Sequence, residues 1–150
     1  MWINIVVGLV IPWLTIGYLF IKNPVVIILM YPLGVATAFV GSDWGFGLFW
    51  EVTPTYEQNH SLPAFPFKIG YFPLLAVLFG YIKAKEIINT PLLIILFTII
   101  TAFMELVGVW AGKIIYSHGW NIFWTLWIYL LGFMGTTFYI KILKKYKILE

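Results

Sequence analysis

The chain contains no cysteine and no arginine, and only 10% of its residues are charged. Without cysteine it has neither disulfides nor thiolate metal ligands, and cysteine usage gives no clue to redox compartment. So little charge excludes a soluble globule, whose surface needs far more. The nine cationic side chains are all lysine and sit beside apolar runs, not along one basic face, which excludes a nucleic-acid partner. Met1-Trp-Ile-Asn-Ile-Val6 lacks the positive n-region of a cleavable signal, so the first apolar segment is expected to be retained. P-loop, nucleophile-elbow, HExxH and dinucleotide fingerprints are also missing, and no cofactor is expected.

What is present is apolar: 62% of the residues are hydrophobic and 20% aromatic, gathered in runs long enough to cross a bilayer as helices. Five segments stand out, about Ile3–Ile21, Pro24–Gly41, Phe67–Ile82, Pro91–Tyr116 and Trp120–Ile140. They predict an all-α, single-domain, five-helix transmembrane bundle. Asn23-Pro24 and Asn89-Thr90-Pro91 each put a capping side chain ahead of a proline in the first helical turn, where its missing N–H costs nothing. Pro12, Pro32 and Pro73 fall inside spans, which membrane helices tolerate when neighbours satisfy the freed carbonyls.

Lys22, Lys83, Lys85, Lys141, Lys144, Lys145 and Lys147 fall on one side of such a bundle, with only Lys68 and Lys113 on the other. The positive-inside rule then predicts an outer N-terminus and a cytoplasmic C-terminus, in a multi-pass protein of the cell membrane. Lys141, Lys144, Lys145 and Lys147 are expected to meet anionic lipids of the inner leaflet. The long segment Ser42–Phe67 is predicted to lie outside. Its Trp44, Phe46, Phe49, Trp50, Phe65 and Phe67 carry too much apolar surface for a free loop, so it should pack onto the bundle.

One carboxylate interrupts the fourth run. Thr98, Thr101, Glu105, Gly108 and Gly112 recur at three- and four-residue steps, which makes one stripe on a helix. Gly108-x-x-x-Gly112 is the small-residue pattern that lets a neighbouring helix approach. The fifth run repeats the spacing with Thr125, Tyr129, Gly132, Thr136 and Tyr139, so Glu105 and Tyr129 are expected at similar depth. An ionised carboxylate facing lipid costs several kcal/mol, hence Glu105 must face the bundle or be neutral. It is a packing group, or a ligand- or proton-binding group together with Tyr129, Thr101 and Thr125. Asp43, Glu51, His60 and His118 are outer-face candidates, but their spacing matches no zinc pattern, and no metal is expected.

Gly-Leu-Phe-Trp50, Ser61-Leu-Pro-Ala-Phe-Pro-Phe67, Tyr71-Phe-Pro73, Ala102-Phe-Met-Glu105, Val109-Trp-Ala-Gly112 and Trp120-Asn-Ile-Phe-Trp-Thr-Leu-Trp-Ile-Tyr129 follow one another in a familiar order. Over roughly Leu33 to Leu143 the chain resembles a functionally uncharacterised family of small, multi-span integral membrane proteins of endospore-forming Firmicutes. The resemblance gives Pro66, Pro73, Glu105, Trp120 and Tyr129 characteristic positions. Lys68 stands where that family often has an acidic residue, and Leu106 where it often has proline. The resemblance implies a fold and a membrane location but no reaction.

Three functional readings stay open. The first is a non-catalytic small-ligand binder or accessory subunit, alone as a homo-oligomer or beside a membrane-protein partner. The second is a proton- or cation-coupled transporter or channel that uses Glu105. The third is an intramembrane enzyme with Glu105 or the outer acidic residues as acid and base.

Overall fold

The computed structural model describes residues 1–149. It has five helices long and apolar enough to cross a membrane, Trp2–Lys22, Pro24–Gly45, Leu62–Ala84, Thr90–Trp110 and Ile122–Lys145, numbered here as spans 1 to 5. Two short strands, β1 (Trp50–Val52) and β2 (Ile114–Tyr116), pair antiparallel with Trp50 opposite Tyr116 and Val52 opposite Ile114. The expected all-α bundle therefore carries a small ribbon. It lies at the end formed by the segments between spans 2 and 3 and between spans 4 and 5 (the loop end). The opposite, lysine end carries Lys22, Lys83, Lys85 and the four lysines from Lys141 to Lys147.

The helix starts follow local chemistry. The Asn23 and Asn89 side-chain oxygens accept from the Val26 and Leu92 N–H groups at 3.3 and 3.0 Å, each cap preceding a proline in the first turn. Asn121 caps span 5 in the same way, accepting from Phe123 N–H at 2.9 Å. Trp120 thus lies before the helix and not inside it, and span 5 continues beyond Ile140 to Lys145. Span 3 likewise begins at Leu62, five residues earlier than the apolar run predicts, because Leu62–Ala64 and Phe67–Tyr71 add 3₁₀ and π turns ahead of its α-helix.

The largest correction concerns span 4, which stops at Trp110 and does not reach Tyr116. Gly112 takes a left-handed φ of 65°. The Lys113 N–H bonds back to the Gly108 carbonyl at 2.8 Å and the Gly112 N–H to Val109 at 3.0 Å, which is a Schellman closure. Gly112 is a helix stop, and the remaining Ile114-Ile115-Tyr116 becomes strand β2. The small-residue stripe is consequently not used for helix approach. Gly108 faces the Ile114 side chain of β2, folded back by the reversal at Gly112, and Gly132 has open space beside it.

The close approaches occur elsewhere, around span 3. Half of its most apolar stretch is buried, against 22–28% in the other spans, so it is the centre of the bundle. A β-carbon on Gly34 of span 2 would stand 2.6 Å from the Pro73 Cα, and one on Gly80 would meet the Met30 side chain at 2.5 Å. Spans 1 and 3 cross where each has a π-helical turn, Val6–Val10 and Phe67–Tyr71, just ahead of Pro12 and Pro73. There Gly8 and Gly70 bring the two backbones into contact. Pro73 has no N–H for the Ile69 carbonyl four residues earlier. That carbonyl accepts instead from the Trp13 indole at 2.9 Å and the Tyr31 hydroxyl at 2.8 Å, so two neighbouring spans satisfy what the proline leaves open.

Towards the lysine end, Phe79, Phe97 and Phe133 join spans 3, 4 and 5, with ring centres 5.1–5.4 Å apart. The outward faces carry large apolar side chains such as Leu14, Ile21, Val40, Ile99, Leu131 and Phe138, as lipid contact requires. At the loop end Trp44, Phe49, Trp50 and Trp120 form one aromatic cluster, with Trp50 and Trp120 4.7 Å apart. The buried Asn4 amide of span 1 donates to the Thr53 and Pro63 carbonyls at 2.9 and 3.0 Å, tying the segment after span 2 and the first turn of span 3 to the start of span 1.

Candidate functional site

Glu105 lies near the loop end of span 4, partly buried against span 5. Its carboxylate accepts three hydroxyl hydrogens. Tyr129 donates to Oε2, while Tyr116 and Thr125 donate to Oε1, Thr125 at 3.1 Å. The Trp120 indole N–H donates to Thr125 Oγ1 at 3.1 Å. An indole nitrogen only donates, so Thr125 accepts there and keeps its own hydrogen for Glu105 at 3.1 Å, with the Tyr116 hydroxyl oxygen also within 3.3 Å. The resulting relay, Trp120 to Thr125 to Glu105, links the aromatic cluster to the carboxylate. Burial, reinforced by the adjacent carboxylate, pushes the Tyr116 hydroxyl above its ordinary pKa and keeps it a donor.

This clasp joins three elements, because Tyr116 belongs to β2 while Thr125 and Tyr129 belong to span 5. The sequence spacing places Thr125 and Tyr129 opposite Glu105, and the structure brings both into contact. Tyr116 escapes that reading. On a continued helix, eleven residues from Glu105 would put it about 16 Å away along the axis. The turn at Gly112 folds it back instead. The readable signal was glycine followed by lysine directly after an apolar helical run, a common C-terminal stop. Thr101, grouped with Glu105 from its spacing, makes no hydrogen bond to it; its hydroxyl and that of Thr98 are buried and bond to no protein group.

The outer-face candidates separate into pairs. His60 Nδ1 stands 2.9 Å from a Glu51 carboxylate oxygen. His118 Nδ1 lies 2.6 Å from the Leu48 carbonyl, at a tight turn where His118 and Gly119 both have positive φ, as in a type I′ turn. Asp43 pairs with Lys68 and accepts from the Ser61 hydroxyl at 3.0 Å. Among the described residues no three His, Asp or Glu side chains converge as a metal site.

Lys68 is the functional-type residue that spacing did not single out. It is only 1% exposed, donates to Asp43 and Ser61, and sits over the Phe39 and Phe46 rings at 4.9 and 4.6 Å. A buried ammonium without its carboxylate is costly, whereas a half-exposed carboxylate without its lysine rehydrates. Asp43→Ala is therefore expected to lower unfolding stability by about 2 kcal/mol, and Lys68→Met by less than about 1 kcal/mol. Thermal unfolding of the two variants in one detergent checks the order; equal losses would refute the asymmetry.

At the lysine end, Lys144 reaches Glu86 at 3.2 Å, bridging span 5 to the turn after span 3. Comparison of the chain with protein families, curated proteins and solved structures finds no match.

Proposed function

We propose that the chain is a non-catalytic integral membrane protein, a small-ligand-binding or accessory subunit whose ligand-facing group is Glu105. The observation that carries this reading is the clasp itself. Three hydroxyls point at one carboxylate beneath a ribbon and an aromatic cluster. Tyr116, Thr125 and Tyr129 all donate into the same acceptor, so the arrangement has the form of a recognition site. Acid–base chemistry would instead need a second group poised to take or return a proton. The test is gentle isolation of the full chain from membranes, followed by intact-mass analysis of what stays bound. A stoichiometric small molecule or subunit that is lost in Glu105→Gln supports the reading.

The second reading, a proton- or cation-coupled transporter or channel that uses Glu105, is favoured by the π-helical turns of spans 1 and 3, an irregularity frequent at functional sites. Proton or sodium flux into proteoliposomes that disappears in Glu105→Gln would select it over the first.

For orientation, we place the loop end outside and the lysine end in the cytoplasm of a cell membrane, with Lys141, Lys144, Lys145 and Lys147 against anionic headgroups. Single cysteines at Asn59 and Lys145 are expected to label from opposite faces in intact cells. Labelling of both by an impermeant reagent would overturn this arrangement.

A further inference from the structure

Spans 4 and 5 run antiparallel and meet at the Glu105–Tyr129 contact and again where Phe97 packs on Phe133. Beyond that point, towards the lysine end, a groove of about 580 Å³ opens between them. Ile94 and Ile95 of span 4 and Met134 and Phe138 of span 5 form its walls. Ile95, Met134 and Phe138 are exposed, so the groove faces lipid and not the bundle interior. The Thr137 hydroxyl, also in the wall, is spent on the Phe133 carbonyl at 2.9 Å. Met134, Phe138 and Lys141 stand four and three residues apart, on one face of span 5, and that apolar face ends in a lysine.

The mouth of the groove is cationic from two sides. Thr90, the first residue of span 4, and Lys141, in the penultimate turn of span 5, both line it. The Lys83 ammonium, from the end of span 3, donates to the Thr90 hydroxyl. That hydroxyl accepts from Lys83 and keeps its own hydrogen for another acceptor, and it neutralises no charge. Among the described residues neither Lys83 nor Lys141 meets a carboxylate, and Glu86 at the same end is engaged by Lys144. The groove between spans 1 and 2 is a useful contrast. It has about 520 Å³ and is lined by Trp13, Ile16, Phe20 and Ile28 but, among the described residues, by no charged side chain. A hydrocarbon chain can fill it, yet nothing there selects a headgroup.

We infer that the groove between spans 4 and 5 is a site for one anionic phospholipid of the phosphatidylglycerol class. Its phosphate lies among Lys83, Thr90 and Lys141, and one acyl chain runs along Ile94, Ile95, Met134 and Phe138. A negative head joined to an apolar tail is the one chemistry that answers both halves of the groove at once. A second copy of the chain suits it less, because a two-fold contact here would bring two cationic mouths together. The site is more than the general attraction of a lysine-rich end for anionic headgroups, since it holds one lipid at a fixed place and enlists Lys83 of span 3. It does not rest on the role of Glu105.

The test uses the full chain in nanodiscs of equal parts phosphatidylcholine and phosphatidylglycerol, released for native mass spectrometry so that the lipids retained per chain are counted. One phosphatidylglycerol is expected to be retained in preference to phosphatidylcholine. Lys141→Gln is expected to cut that preference about fivefold, the effect of one lysine close to a charged headgroup. Lys145→Gln removes the same charge outside the groove and is expected to leave the preference unchanged. Met134→Trp fills the groove and is expected to lower retention of both lipids. Lys141 and Met134 are both exposed, so these variants keep the fold. Equal retention of the two lipids by the parent chain would overturn the site. So would equal losses in Lys145→Gln and Lys141→Gln, which would mean diffuse surface charge, or a lipid-free dimer, which would make a second copy the occupant. A lipid held in this groove stays bound in Glu105→Gln, so failure here and failure of the ligand-binding reading are distinguishable.

Discussion

Gly70→Ala is expected to destabilise the protein by about 3 kcal/mol, at the upper end of overpacking costs. The added β-carbon would overlap the Gly8 carbonyl oxygen and stand 2.8 Å from the Leu9 Cα. Those atoms are backbone, so no side chain can rotate away to make room. Relief requires span 1 to move off span 3 as a body. That movement would also draw Asn4 away from the Thr53 and Pro63 carbonyls and the Trp13 indole away from Ile69. Each of those groups would then lose its partner in an apolar setting. Gly132→Ala is the matched control. Nothing lies within 4 Å of its β-carbon position, and alanine is the better helix former, so a neutral effect or a gain of about 0.5–1 kcal/mol is expected. Equilibrium unfolding of both variants in mixed micelles gives the comparison, and a Gly70→Ala protein as stable as the parent would refute the crossing.

The contrast between those glycines also shows how the sequence reads. Gly108, Gly112 and Gly132 form the visible pattern, because small-residue spacing on one helix is a local property. Yet their surroundings are a neighbouring isoleucine, a left-handed turn and open space. Gly8, Gly34 and Gly70 make the real contacts, Gly8 and Gly34 against span 3 and Gly70 against span 1, each as a lone small residue meeting a helix other than its own. Nothing within a single segment reveals which helix will face it. The five spans themselves were legible because hydropathy over about twenty residues reports membrane crossing directly. The asparagine caps were legible because capping involves residues two or three positions apart. Span 4 was overextended because Ile114-Ile115-Tyr116 is as apolar as the helix before it. Hydropathy cannot separate a strand from a helix there; the left-handed Gly112 does.

The candidate site divides along the same line. Thr125 and Tyr129 were reachable because consecutive antiparallel helices fix which residues share a depth. Tyr116 and the Trp120 relay depend on the chain reversing after Trp110 and on β2 pairing with β1, which is set by residues some sixty positions earlier. Lys68 was legible as a lysine on the loop side but not as a buried one. Its burial depends on Asp43, Ser61 and two phenylalanines that the fold collects from both sides of the intervening segment.

Replacing Glu105 tests how much that collected chemistry contributes. Glu105→Leu keeps approximate volume but removes the acceptor for the Tyr116, Thr125 and Tyr129 hydroxyls together. The Thr125 hydrogen can turn to the Tyr116 hydroxyl oxygen 3.3 Å away while Thr125 still accepts from Trp120, which recovers part of the loss. At about 1–3 kcal/mol per buried donor left unpaired, part of it recovered by rearrangement, the expected loss is about 4 kcal/mol. Glu105→Gln behaves differently. Its carbonyl oxygen can take the Oε1 position and keep Tyr116 and Thr125, while its amide faces Tyr129, whose hydroxyl can turn to accept. That exchange is expected to cost about 1 kcal/mol. Unfolding free energies of the two variants in the same nanodiscs separate the cases. A leucine variant as stable as the parent would mean the clasp contributes nothing to the fold. If glutamine is as damaging as leucine, the clasp depends on the second acceptor oxygen or on the negative charge, the two things glutamine lacks while keeping the shape.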